Sequence, residues 1–167
     1  LGLRWSQWKW VVLIAPAVVF GMWLFLVVLE VSGFNGWMQQ VTGDGVQETV
    51  TLFQETEDPL VLGMVSLLAV VVAPLTEEVI FRGYLYPVAK RFAGRVPAVL
   101  FSSLIFAAAH NIALALLPLF VLAVLLAWVY ERTGSIWAPI ACHALFNSAT
   151  VVMQLLIRVG WVEIPAT

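Results

Sequence analysis

Five long apolar runs, almost empty of charge, divide this chain, and nothing else in it constrains the fold as strongly. A helix needs roughly 17–25 such residues to cross the hydrocarbon core of a bilayer. The first run has a charge-free core from Trp10 to Leu29 and is expected to form a span over residues 10–31. The others run from Leu60 to Thr76, from Val96 to Ala109, from Ile112 to Tyr130 and from Ser135 to Ile157, the third being short. Hydrophobic residues make up 62% of the chain and charged ones 11%, more apolar surface than a soluble domain of 167 residues can hide. The predicted fold is all-α: a polytopic integral membrane bundle of about five transmembrane helices plus an interfacial amphipathic helix, in one transmembrane domain over residues 1–167. The amphipathic helix is expected between Tyr84 and Phe92, where Tyr84, Leu85, Val88 and Phe92 repeat at helical spacing beside Lys90 and Arg91.

Residues 32–58 carry five acids, Asp44, Glu48, Glu55, Glu57 and Asp58, without a lysine or arginine, and read as an exposed loop with room for a short surface helix. The opposite bias appears at Arg4, Lys9, Lys90, Arg91, Arg95 and Arg132, which fall on one side if the spans alternate. By the positive-inside rule that side, with the N-terminus, is cytoplasmic, and the acidic loop and C-terminus face the other way. Only Arg158 dissents. The first span is too long in its apolar core for a removable signal peptide, so it is expected to stay. The tryptophans, including Trp5, Trp8 and Trp10, lie mostly near span ends, as interfacial belts do. A formal net charge of -2 with no basic block argues against a nucleic-acid partner, and the lone Cys142 can form neither an intrachain disulfide nor a thiolate metal cluster.

Against this apolar background a few polar residues stand out. Glu77 and Glu78 follow the second run, with Arg82 four residues after Glu78; Phe106 precedes His110 by four; His143 precedes Asn147 by four. Each such pair shares one helix face. Charged and imidazole groups at membrane depth are costly, and they persist where they pair or work in a wet cavity. On a helix Glu78 faces Arg82 and is charge-compensated, whereas Glu77 lies about 100° around the axis and is left for another partner. Glu77 is therefore the candidate general base and Glu78 a supporting residue. His110 and His143 are the only histidines.

Several chemistries fit. Serine or cysteine hydrolysis fits badly, because Ser102, Ser103 and Ser148 lack a nucleophile-elbow context and Cys142 diverges from its neighbour His143 on a helix. Zinc held by Glu77, His110 and His143 leaves a fourth position for water. A metal-free arrangement fits equally: Glu77 and His110 activate water, and His143 with Asn147 hold an oxyanion. The residues alone do not choose between them.

The ordered triplet Glu77-Glu78 with Arg82, Phe106 with His110, and His143 with Asn147 resembles the CAAX protease and bacteriocin-processing (CPBP, or Abi) family of intramembrane proteases. The resemblance covers roughly residues 59–152, the family's helical core. It implies hydrolysis of peptide bonds in membrane-associated peptide or protein substrates, in a cavity between helices within the lipid bilayer. It further implies Glu77 as base, His110 as its partner, His143 and Asn147 as oxyanion donors, and Glu78, Arg82 and Phe106 in support. The family was first regarded as metal-dependent and later as glutamate-dependent, so zinc stays open but unfavoured.

Straight helices put these residues at different heights. Glu77 would lie at the end of its span, His143 about 12 Å into its own and His110 about 22 Å beyond Arg95. A tilt, a raised interfacial segment or a short third helix ending in a cavity is needed, with Pro74 and Pro118 as sources of kinks. Two other readings compete with a protease: a non-catalytic membrane binding or bacteriocin-immunity protein, and a proton or ion carrier.

Overall fold

A computed structural model describes residue 2 and residues 8–43 and 48–162 of the chain. Expectations resting on Arg4, Trp5 and Asp44 lie outside the described residues. Among the described residues there are seven helices and no strand: α1 Trp8–Val31, α2 Phe34–Thr42, α3 Glu48–Glu55, α4 Pro59–Ala93, α5 Arg95–Ala108, α6 Ala113–Thr133 and α7 Trp137–Arg158. The chain is thus an all-α membrane bundle. Four helices, α1, α4, α6 and α7, are long and apolar enough to cross a bilayer. The run from Val96 to Ala109, expected as the short third span, forms the 14-residue α5, about 21 Å long against a hydrocarbon core of about 30 Å.

The second span differs most from expectation. It does not stop at Thr76: α4 continues through the acidic pair for 35 residues. Asp58 starts it, accepting a hydrogen bond from Leu60 N at 2.8 Å with Pro59 in the first turn. Gly94, at φ 80°, ends it. The segment expected as a separate interfacial helix is the last part of α4. Two π-turns interrupt the helix, at Leu68–Val72 and Phe81–Leu85. Each is followed two residues later by a proline, Pro74 and Pro87, where a missing N–H weakens the α ladder and favours a wider turn.

This long helix removes the height mismatch between Glu77 and His110. From Glu77 to the end of α4 is about 24 Å, and from the start of α5 back to His110 about 22 Å, so the α4–α5 hairpin returns His110 to the level of Glu77. The hairpin is fastened at its closed end. Glu131 of α6 pairs with Lys90 Nζ of α4 at 2.6 Å and with Arg95 Nε of α5 at 3.4 Å.

The remaining helices form a support. Ala15, Val18 and Met22 of α1 pack on Leu122, Leu126 and Val129 of α6 and on Ala138 and Cys142 of α7. The small residues let the helices approach closely, as membrane interfaces require. Large apolar side chains such as Phe20, Leu60 and Leu104 point outward on the bundle surface, where lipid replaces water as solvent. At the end opposite Glu131, the expected acidic loop contains α2 and α3. Arg158 Nη1 donates to the Phe53 carbonyl of α3 at 2.9 Å, and Gln54 Nε2 donates to Gln154 Oε1 at 3.0 Å.

Candidate active site

Glu78 is completely buried and organises its surroundings. One oxygen, Oε1, accepts from Arg82 Nη1 at 2.8 Å and from His143 Nδ1 at 3.0 Å. Arg82, also buried, directs Nη2 to the Ala123 carbonyl of α6 at 2.9 Å. The pair therefore ties α4 to α6 and α7. A buried carboxylate and guanidinium are tolerable only when paired and hydrogen-bonded in this way.

Glu77 faces elsewhere, as the angular separation of neighbouring helical residues requires. Its Oε1 lies 4.0 Å from His110 Nε2 and its Oε2 lies 3.9 Å from His143 Nε2. Oε2 is buried and has no hydrogen-bond partner in the protein, although the side chain is 24% exposed. Oε2 of the neighbouring Glu78 is likewise buried without a hydrogen-bond partner in the protein.

The two imidazoles are oriented from behind. His110 Nδ1 lies 2.9 Å from the Phe106 carbonyl, which can only accept, so Nδ1 carries the hydrogen. His143 Nδ1 faces the Glu78 carboxylate and likewise donates. In the neutral rings Nε2 of each histidine is then a lone pair turned toward Glu77. Phe106 sits beneath all of them, fully buried. Its ring is 5.0 Å from the His110 ring and 5.9 Å from that of His143, with the Arg82 guanidinium 4.9 Å above its centroid.

The arrangement brings together Glu77, Glu78, Arg82, Phe106, His110 and His143. Asn147 lies one turn beyond His143 and is linked to a different group: its Nδ2 donates to the Ala69 carbonyl in the first π-turn at 2.8 Å. The carbonyls of Ala69 and Ala123 were not foreseen as partners, since a backbone oxygen leaves no mark in side-chain spacing. Pro74 was the one available signal for Ala69.

Imidazoles that donate Nδ1–H to a carboxylate or a carbonyl are oriented as metal-binding histidines are. The spacing is wider than zinc needs, however. Two ligands on a tetrahedral zinc at 2.0–2.1 Å stand roughly 3.3 Å apart. Among the described residues no group of three His, Cys, Asp or Glu side chains is placed to hold a metal ion.

Residues 59–149, which include every residue of the cluster, match the family model described as Type II CAAX prenyl endopeptidase Rce1-like. Among curated proteins, "Putative membrane peptidase YdiL" of Bacillus subtilis (strain 168) is 35% identical over 85 residues, 51% of this chain and 35% of that protein. The matched stretch thus spans about a third of the relative's length. No solved structure gives a significant match. With more than half of its length matched, the chain belongs to the Rce1-like family of CAAX-protease-type membrane proteins.

Proposed function

We propose that the chain is an intramembrane endopeptidase that cleaves membrane-associated peptides or proteins with a water activated by Glu77 and His110. The observation that carries this reading is the 4.0 Å gap between Glu77 Oε1 and His110 Nε2. Both atoms are acceptors, because the His110 hydrogen is committed to Phe106. Two acceptors facing each other call for a molecule with two hydrogens. A water there gives one hydrogen to each and keeps a lone pair for a substrate carbonyl carbon.

In the reaction the water oxygen bonds to that carbon, its proton passes to Glu77, and the carbonyl oxygen becomes an oxyanion. Glu77 then returns the proton to the departing amine as the carbon–nitrogen bond breaks. His143 and the second Nδ2 hydrogen of Asn147 serve as oxyanion donors. Donation by His143 requires its imidazolium, with Nδ1–H on Glu78 and Nε2–H on the oxyanion. Glu78 and Arg82 hold His143, and Phe106 holds His110. No step needs a metal; if Glu77, His110 and His143 instead hold zinc, it would supply Lewis acidity at the same place.

The test is hydrolysis of a quenched peptide library, with prenylated and unmodified C-terminal peptides, by the purified protein in liposomes. Cleavage by the parent but not by Glu77→Ala, unchanged by a strong chelator, is the expected result. Chelator inhibition reversed by zinc would replace the metal-free mechanism. Absence of any Glu77-dependent cleavage would leave a membrane binding or immunity role in its place.

A further inference from the structure

Carbonyl oxygens inside a membrane helix need an N–H partner, because lipid supplies none. The Ala69 carbonyl lacks one at both of the usual places. The N–H of Ala73, its partner in an α-helix, is drawn back one residue by the π-turn and bonds the Leu68 carbonyl. The next N–H, its partner in a π-helix, would come from residue 74, which is a buried proline. The donor at Ala69 is instead Nδ2 of Asn147, from α7.

We propose that Pro74 is a positioning residue for Asn147: by withholding an N–H it reserves the Ala69 carbonyl for the carboxamide, and that carbonyl fixes the carboxamide's orientation. A carbonyl only accepts, so it selects the Nδ2 edge of the amide over the Oδ1 edge. With one Nδ2 hydrogen spent, the second leaves in a direction set by the amide plane. A freely rotating asparagine would have to turn its nitrogen toward a developing oxyanion during the reaction, whereas the anchored one already presents it. The catalytic consequence rests on reading Asn147 as an oxyanion donor; the exchange of one N–H donor for another does not.

A double-mutant cycle tests the exchange. Asn147→Ala leaves the Ala69 carbonyl without a donor and should lower Tm in micelles by about 3–6 °C. Adding Pro74→Ala restores the peptide N–H, so the double variant should regain most of that loss; Pro74→Ser provides the same N–H as a second form. Isotopic labelling of the asparagine nitrogens gives a direct view, since the chain has only Asn35, Asn111 and Asn147. Pro74→Ala should shift the Asn147 side-chain amide resonance and leave the other two in place. Losses that add in the double variant, or an unmoved Asn147 resonance, would overturn the proposal.

Hydrolysis of the cleaved library peptide separates the two layers. Pro74→Ala should lower kcat about tenfold with KM within twofold, the pattern of a displaced transition-state donor. A double variant that is stable but inactive supports both layers. One that is stable and fully active keeps the exchange of donors and removes the oxyanion role of Asn147.

Discussion

Glu77 and Glu78 are adjacent and have opposite surroundings, so the same substitution should have opposite consequences. Glu78 is buried against Arg82 and His143, and Glu78→Gln removes the charge that compensates a buried guanidinium. Breaking such a pair by removing one partner costs about 3–5 kcal/mol. Glu78→Gln should therefore lower unfolding stability in micelles by that order. Glu77 makes no hydrogen bond with Oε2 and pairs with nothing closer than 3.9 Å, so Glu77→Gln should unfold at nearly the parent's midpoint while abolishing hydrolysis. Equal destabilisation by the two would contradict this division.

At the scale of helices, the decisive feature is where α5 stops. Asn111 adopts φ 53°, a left-handed conformation that asparagine accepts more readily than most residues, and it turns the chain directly after His110. Asn111→Gly should retain activity and stability. Asn111→Val, β-branched and strained there, should cost about 1–3 kcal/mol and reduce turnover by shifting His110; urea or thermal titration together with kcat measures both. The sequence made the helices legible because apolar runs and i, i+4 pairs survive in one dimension: Glu78 does meet Arg82, and His110 does meet Phe106. Legibility failed where a helix continues through charge. The end of an apolar run at Thr76 reads as the end of a span, yet buried Glu78 and Arg82 neutralise each other and give α4 no reason to stop. The π-turns were equally hidden, since only Pro74 and Pro87 mark them. Asn147 read as half of a pair with His143, but its hydrogen bond runs to Ala69, 78 positions away, which no local spacing encodes.

Over the whole molecule, charge is sorted to two ends. Lys90 and Arg95 gather around Glu131, and Arg132 lies over the Trp128 ring, at the end where α4 turns into α5 and α6 into α7. Arg158 is the exception: at the opposite end its guanidinium donates to the Phe53 carbonyl at the C-terminal end of α3, where the helix dipole favours a cation. By the positive-inside rule the Glu131 end, with the larger number of basic residues, is predicted to face the cytoplasm. Cys142 is fully buried, so the native chain has little reactivity toward thiol reagents, and single cysteines can report orientation. Arg91→Cys, exposed near the end of α4, should react with an impermeant maleimide only in inside-out vesicles. Gln40→Cys, exposed on α2, should react only in right-side-out ones. Reversed labelling would mean that the basic end is translocated despite its charge. Uniform labelling of each site from both sides would mean a mixed population, and the charge asymmetry would then be too weak to orient the bundle. Since Glu131 offsets part of the cluster's charge, Glu131→Gln should, if anything, strengthen the bias toward one orientation, which the same labelling reads.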